Sequence, residues 1–372
     1  MQRPRRCWLP DPLPAKAASS GRAPLRLGLA GGGTDVSPYA DLRGGAVMNA
    51  TIDRYIHASF GHASVEHASV GHASVGPIAG DRVELLSQDL EISANHPATV
   101  PLPIDGRLDL PKAVYNRIMQ DFNGGQAMPL RIATYSEAPA GSGLGSSSTL
   151  VVAVLQAVTE LLGLPLGEYD VAHLAYVIER EELGLQGGRQ DQYAATFGGF
   201  NFMEFRADNA VIVNPLRIKP AVVNELESRT VLCFTGVSRE SATIIAEQAR
   251  TVSAGSTRSI EAMHRLKHAA VAMKEALLKG DITGLATTLS AGWTSKRDMA
   301  SGISNAGIED AMQTAMDAGA NAGKVSGAGA GGFIMFLVPL ENKRAVLRAL
   351  SDKGYRAESC RFTPEGAIAW RV

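Results

Sequence analysis

The stretch APAGSGLGSSSTLVVAVLQAV, from Ala138 to Val158, sets the terms on which the rest of the chain is read. Gly141, Gly143 and Gly145 alternate with small residues, Ser146 to Thr149 form a run of hydroxyls, and the apolar stretch that follows carries no charge until Glu160. Before it, MPLRIATYS (Met128 to Ser136) reads as a strand. Ser146 to Leu164 has the length and apolar content of a buried helix. A strand, a glycine loop and a helix start form an arrangement in which backbone N–H groups approach an anion and the helix dipole favours it. The hydroxyls at the first turn can cap the helix or ligate Mg²⁺. An ordinary capped helix after a flexible turn would use the same residues. A dinucleotide fingerprint does not fit, because the spacing is G-x-G-x-G and no acidic residue closes a following strand about twenty residues on. A Walker loop does not fit either, since it requires a lysine that this stretch lacks.

Two further glycine stretches bear on the choice. KVSGAGAGGFIMFLV (Lys324 to Val338) places Gly327, Gly329, Gly331 and Gly332 before a strongly apolar strand, which alone suits a hinge or a bulge. LRLGLAGGGTDVSPYADLRGGAV (Leu25 to Val47) puts Arg26 on a strand, Thr34 and Asp35 after three glycines, and Gly44 and Gly45 before the next strand. Thr34 and Asp35 there are as well suited to capping a turn as to touching a ligand.

Composition narrows the class. A chain of 372 residues is long enough for two domains, since single cores split beyond ~250–300 residues. At 45% hydrophobic and 20% charged, with a formal charge of -1, it reads as a globular protein with no general pull toward nucleic acid or membrane. No apolar run approaches the ~18 residues of a membrane span. Cys7, Cys233 and Cys360 are far apart and odd in number, so neither a disulfide framework nor a cysteine zinc site is expected, and a reducing cytoplasm is the simplest home. Residues 1–22 carry Arg3, Arg5, Arg6, Lys16 and Arg22 against Asp11 and are broken by Pro4, Pro10, Pro12 and Pro14, which reads as a disordered leader. They lack the apolar core of a secretory signal.

The front of the chain reads as β-rich, with strands at Pro24 to Gly32 and Ala46 to Phe60. Helices are expected at Leu110 to Phe122 and from Glu168 to near Gly184. A second α+β domain is drawn from Asp208, with a strand at RTVLCFTGV, a long helix from Thr257 to Leu278, further helices through Asp317, and late strands at GGFIMFLVP, RAESCRF and GAIAWRV. Between His57 and Gly76 a pentapeptide recurs, with His57, His62, His67 and His72 five apart. That spacing alternates faces on a strand and drifts around a helix, so the repeat reads as an expanded hairpin loop rather than a metal site.

The three glycine motifs, in this order, resemble those of the GHMP kinases, and the resemblance runs from about Pro24 to the C-terminus. Within that superfamily, RLGLAGGGTDVSPYADLRGGAVMNATID and IEREELGLQGGRQDQYAATFGGFNFMEF are most similar to the D-glycero-D-manno-heptose 7-phosphate kinases. The resemblance implies an α+β fold of two domains, a ribosomal protein S5-like N-terminal domain (23–207) and a ferredoxin-like C-terminal domain (208–372). It implies an ATP- and Mg²⁺-dependent kinase acting on the anomeric hydroxyl of that heptose phosphate, toward nucleotide-activated heptose for surface polysaccharide. A kinase of plain fucose, mannose or galactose is the alternative within the class, and a sugar-binding regulator without turnover the alternative outside it. A homodimer is compatible with the sequence.

By the same resemblance the ATP phosphates are expected on Pro139, Gly141, Ser142, Gly143, Leu144, Gly145, Ser146, Ser147 and Ser148, closed over by Gly327 and Gly329. Ser147 and Glu179 would hold Mg²⁺, a sparse set that suits that ion; among Arg180, Glu181 and Glu182, Glu179 also reads as a solvated helix-face charge. Asp191, twelve residues on, would accept the sugar hydroxyl proton, or else cap the helix it begins. Arg26 is expected beside it, neutralising transition-state charge. Thr34, Asp35, Arg43, Gly188 and Arg189 are expected around the acceptor, with Arg43, Arg189 and Lys324 as candidates for a phosphate already on the sugar.

Overall fold

The computed structural model describes residues 18–61, 81–236, 241–300 and 302–372. The leader up to position 17 and the histidine repeat beyond Gly61 lie outside them. The strand β1 (Ala18–Ala30) pairs antiparallel with β2 (Gly45–Gly61), the long strand around which the first sheet is built. The far half of β2 pairs with β5 (Leu130–Ser136), and β3 (Arg82–Ser87) and β4 (Ile92–Pro97) extend the sheet beyond it. The near half of β2 pairs with β6 (Phe200–Phe205), which carries β7 (Val211–Pro215). A last strand, β12 (Ile368–Arg371), lies against β1 and completes eight strands.

Two sequence boundaries move. Ala18 to Arg22 belong to β1, paired on both sides, so the leader drawn to residue 22 is too long. The domain line at 208 cuts the β6–β7 hairpin, and the segment 208–372 gives its last strand back to the first sheet.

The helix α3 (Ser146–Leu162) lies on β1 and β2 and is buried nearly all round, through Val151, Val152, Ala153, Val154 and Leu155. A helix apolar on every face has to be internal. Contact is close enough that a Cβ on Gly21 of β1 would stand 3.0 Å from the Ala153 carbonyl oxygen. Gly163, in the left-handed region at φ 61°, ends the helix. The helix α4 (Glu168–Tyr176) begins the expected Glu168–Gly184 segment, but from Val177 to Glu182 the winding widens to a π-helix, a form that recurs at functional sites. The helix α5 (Gln190–Phe197) follows.

The second sheet is antiparallel, in the order β11 (Arg356–Ser359), β8 (Thr230–Phe234), β10 (Phe333–Leu337), β9 (Ala322–Val325). Alternation along its strands serves two cores. Val231, Cys233, Ile334 and Phe336 pack with Ile308, Ala311 and Val346, whereas Leu232, Phe333, Met335 and Leu337 face a core continuous with the first sheet. The helices α8 (Thr257–Lys279) and α9 (Ile282–Arg297) bridge these layers, contributing Met273 and Leu289 to one core and Met263 and Trp293 to the other. The two halves therefore share packed apolar surface. The cleft lies along that shared seam.

Candidate active site

Ser147 and Ser148, in the first turn of α3, point their hydroxyls at one carboxylate. Ser147 Oγ donates to Glu179 Oε1 at 2.5 Å and Ser148 Oγ to Glu179 Oε2 at 2.6 Å. Gln192 Nε2 adds a third bond to Oε2 at 2.6 Å, and Arg180 Nη1 stands 3.4 Å from Oε1. Glu179 is fully buried, so it is no solvated helix-face charge. The π-helical winding carries it and Arg180 inward together. The α3 N-cap is Gly145, with no side chain satisfying the first-turn N–H groups, which have no carbonyl within the helix to bond.

Asp191 lies against the same helix start, at Gly145. Arg26 grips it with Nε on Oδ1 and Nη2 on Oδ2, each at 2.8 Å, in a bidentate pair. Arg26 Nη1 also donates to the Gly143 carbonyl at 2.6 Å, tying carboxylate, strand and glycine loop into one unit. Asp191 does not cap α5, whose N-cap is Arg189. A Cβ added to Gly145 would lie 3.3 Å from Asp191 Cγ, so loop and carboxylate are in direct contact. The loop closes from the other half of the chain: a Cβ on Gly143 would fall 2.6 Å from the Ser326 carbonyl oxygen, and one on Gly327 would fall 2.8 Å from Gly143 Cα.

These groups line one cleft of about 610 Å³, together with Asp35, Gly188, Gln190, Gln248, Lys296 and Lys324. Asp35 caps the glycine turn and holds Gln190 at once: it accepts from Gly33 N–H at 3.1 Å, from Gln190 N–H at 3.2 Å and from Gln190 Nε2 at 3.1 Å.

Two family models match the chain: the GHMP kinases N terminal domain at residues 109–199 and the GHMP kinases C terminal at 273–356. The chain is 47% identical to the D-glycero-alpha-D-manno-heptose 7-phosphate kinase of Campylobacter jejuni, over 94% of its own length and 98% of the relative's. It belongs to the GHMP kinases. A crystal structure titled as a D-glycero-D-manno-heptose 1-phosphate kinase from Bacteroides thetaiotaomicron superposes on this GHMP kinase with a TM-score of 0.76 at 43% identity, covering 95% of this chain and 99% of that one. The two names agree on a heptose phosphate and differ on which carbon bears the phosphate. An L-fucokinase/L-fucose-1-P guanylyltransferase of Bacteroides fragilis is 26% identical over 90% of this chain and 38% of that protein.

Of the residues expected in the kinase site, Arg26, Asp35, Gly141, Gly143, Gly145, Ser146, Ser147, Ser148, Glu179, Gly188, Asp191 and Gly327 line the cleft, as does Lys324. Seven do not, each for a visible reason. Thr34 is buried and spends its hydroxyl on the Gly31 and Ala46 carbonyls, at 2.8 and 2.9 Å, which locks the glycine turn. Arg43 ends the short helix α1 (Tyr39–Arg43) exposed on the surface, its carbonyl held by Lys267 Nζ at 2.8 Å. Arg189 is buried against Asp41 of α1, with Tyr176 beneath its guanidinium. Pro139, Ser142 and Leu144 support the glycine loop through backbone bonds to Ser142, Phe333 and Arg26. Gly329 packs on Ile303.

Sequence reasoning missed Lys296, Gln248, Gln190 and Arg180. Gln190 and Arg180 adjoin named residues in the chain, a signal that was there to use. Lys296 and Gln248 sit on α9 and on α7 (Ser241–Ser253), helices without a motif. Burial, reinforced by Arg26 nearby and opposed by Asp35 and Asp191, pushes the Lys296 ammonium down to about 8. Burial likewise holds Lys324 well below the usual lysine range, with Lys296 and Arg26 adding to the effect.

Proposed function

We propose that this GHMP kinase transfers the γ-phosphoryl group of ATP to the anomeric hydroxyl of D-glycero-D-manno-heptose 7-phosphate, giving the 1,7-bisphosphate and ADP. The observation that carries the reading is the bidentate Arg26–Asp191 pair set against the glycine loop, in a cleft that Asp35 also lines. Phosphoryl transfer asks the protein for positioning and charge neutralisation more than for covalent chemistry. The α3 N-terminus and the positive-φ glycines Gly141, Gly143 and Gly145 present backbone N–H groups to the phosphates. Asp191 accepts the proton of the attacking hydroxyl, while Arg26 fixes its orientation. Asp35 accepts from sugar hydroxyls, its carboxylate steadied by Gln190.

Mg²⁺ fits the donor set. Ser147 Oγ and Glu179 Oε1 converge at 2.5 Å, and no group of three or more His, Cys, Asp or Glu side chains that could hold a metal ion exists among the described residues. One carboxylate and one hydroxyl leave room for the phosphate oxygens and waters that this ion keeps. When bound, it would neutralise charge on the β- and γ-phosphates. An ATP donor and two buried free thiols, Cys233 and Cys360, support a cytoplasmic place of action. No helix among the described residues is long and apolar enough to cross a membrane.

One observation favours a plain sugar instead: two of the three candidates for the acceptor's phosphate, Arg43 and Arg189, lie outside the cleft, and only Lys324 lines it. ADP release measured over heptose 7-phosphate, unphosphorylated heptose, fucose, mannose and galactose tests the reading. Turnover on the heptose phosphate at least ~10-fold above the rest is expected. Strong turnover on an unphosphorylated sugar with none on the heptose phosphate would overturn it.

A further inference from the structure

Charge in the cleft does not balance. Its charged residues are Arg26, Arg180, Lys296 and Lys324 against Asp35, Glu179 and Asp191. Arg26 is taken by Asp191 and Arg180 adjoins Glu179. That leaves two ammonium groups and Asp35, whose oxygens already accept from Gly33 and Gln190. Neither lysine makes an ion pair among the described residues. Lys296 Nζ donates to the Gly327 carbonyl, and Lys324 Nζ to the Gly28 carbonyl at 2.5 Å. An ammonium carries three N–H donors, so two remain on each. Both side chains are almost wholly buried, at 4% and 6% exposure.

Burying two like charges near each other with no carboxylate in contact is costly, and a fold under no other constraint would place apolar side chains there. A third group points the same way. Gln248 Nε2 is buried without a hydrogen-bond partner among the described residues, and its side chain reaches the cleft beside Gly33. Lys296 Nζ stands beside the neighbouring Gly32, 3.9 Å from where a Cβ would be. Lys296 comes from α9, Lys324 from β9 and Gln248 from α7, all from the second half of the chain, and they face the β1 end and its glycine turn in the first.

We infer that Lys296 and Lys324, with Gln248 beside them, form a phosphoryl receptor at the seam between the two halves of the kinase. The inference rests on the kinase reading above, which supplies two phosphoryl groups to choose from: the terminal phosphate of ATP and the phosphate already on the acceptor. Both are tetrahedral dianionic groups that charge-assisted N–H donors recognise alike. Filling the receptor joins the halves, because the donors come from one and the opposing wall from the other.

Calorimetric titration of the full-length wild type, Lys296→Met, Lys324→Met and Lys296→Arg tests it. The probes are ADP, a non-hydrolysable ATP analogue, heptose 7-phosphate and unphosphorylated heptose. Each Met variant is expected to weaken one phosphorylated probe by ~10–100-fold, the worth of charge-assisted hydrogen bonds, while its partner lacking that phosphate is unchanged. Loss confined to the ATP analogue identifies the donor's phosphate as the occupant; loss confined to heptose 7-phosphate identifies the acceptor's. Lys296→Arg, which keeps the charge, should recover much of the loss. Ligand-free Lys296→Met should melt no lower than wild type, since a buried unpaired charge has been removed. Unchanged affinity for all four probes overturns the inference, as does an equal loss for all four with a lowered melting temperature. If the wild type ignores heptose phosphate, the acceptor assignment falls while the pair of nucleotide probes still decides the receptor.

Discussion

Gly188 lies so close to Asp35 that a Cβ added to it would stand 1.9 Å from Asp35 Oδ2. The glycine-rich run after Glu179 is therefore shaped to let the Asp35 carboxylate sit against backbone. Gly188→Ala would displace Asp35 by an ångström or more, a shift that costs on the order of 10²-fold in a positioned site. The loss should appear mainly in the acceptor's KM, with the Kd for ATP within about threefold of wild type. Initial-rate kinetics at saturating ATP check this, and an unchanged acceptor KM would show that Asp35 does not hold the sugar.

Gly143 meets the Ser326–Gly327 backbone with no room for a side chain, and its φ is 78°. A left-handed conformation alone costs a non-glycine residue ~1–2 kcal/mol, and the carbonyl clash adds to that. Gly143→Ala is expected to lose at least that much in urea denaturation and to bind ATP more weakly, since the two glycine loops can no longer interlock. Full stability would mean that the contact is dispensable.

Glu179 accepts from Ser147, which is exposed, and from Ser148 and Gln192, which are buried with it. In Glu179→Gln the amide keeps the size but loses the charge that a cation needs. The Mg²⁺ concentration for half-maximal rate should rise by at least the ~10–100-fold that changes in the outer shell of a metal site produce. A Mg²⁺ titration of the variant decides it, and an unchanged midpoint would remove Glu179 from the ligand set.

Lys296 gives a pH signature. Its ammonium, pushed down to about 8, is faced by Arg26 from β1, Asp35 from the following turn, Asp191 from α5 and Lys324 from β9. An unfolded lysine titrates near 10.4, so between about 8 and that value the unfolded chain binds more protons. Ligand-free stability should therefore rise with pH across this window, the cost of burial being fully present below it. Activity should run the opposite way if the ammonium is the working form, with kcat/KM falling as pH passes about 8. A bound phosphate raises the value, so the limb in kcat should lie at higher pH. Lys296→Arg, whose charge does not titrate, should lack the limb; superimposable profiles would assign it elsewhere.

The sequence carried the local chemistry well and the long-range chemistry poorly. Ser147, Glu179, Asp191 and Arg26 are reached through the resemblance of the glycine motifs and their flanking segments to the GHMP kinases, and the structure brings all four to one cleft. Thr34 is expected at the acceptor because a hydroxyl next to Asp35 looks like a sugar contact, yet its proton goes to the Gly31 and Ala46 carbonyls and its oxygen accepts from Ala46 N–H. Arg189 was misread for want of its partner: Asp41 is 148 residues away. The return of β12 to β1 was hidden for the same reason, since a short strand does not announce which sheet it will join. Lys296 lies near the end of an amphipathic helix, where a lysine is also the ordinary complement to the helix dipole. Only the packing of α9 against the glycine turn makes it part of a site.

The most direct test of the account is the steady-state rate of Asp191→Asn beside calorimetric binding of the ATP analogue and the heptose phosphate. The asparagine keeps the shape and one acceptor oxygen for Arg26 but cannot take the hydroxyl proton. The account predicts kcat reduced by ~10²–10⁴-fold, the usual worth of a general base, with both affinities within several-fold of wild type. A variant that retains wild-type kcat would contradict it, and Asp191 would then be no more than the anchor for Arg26.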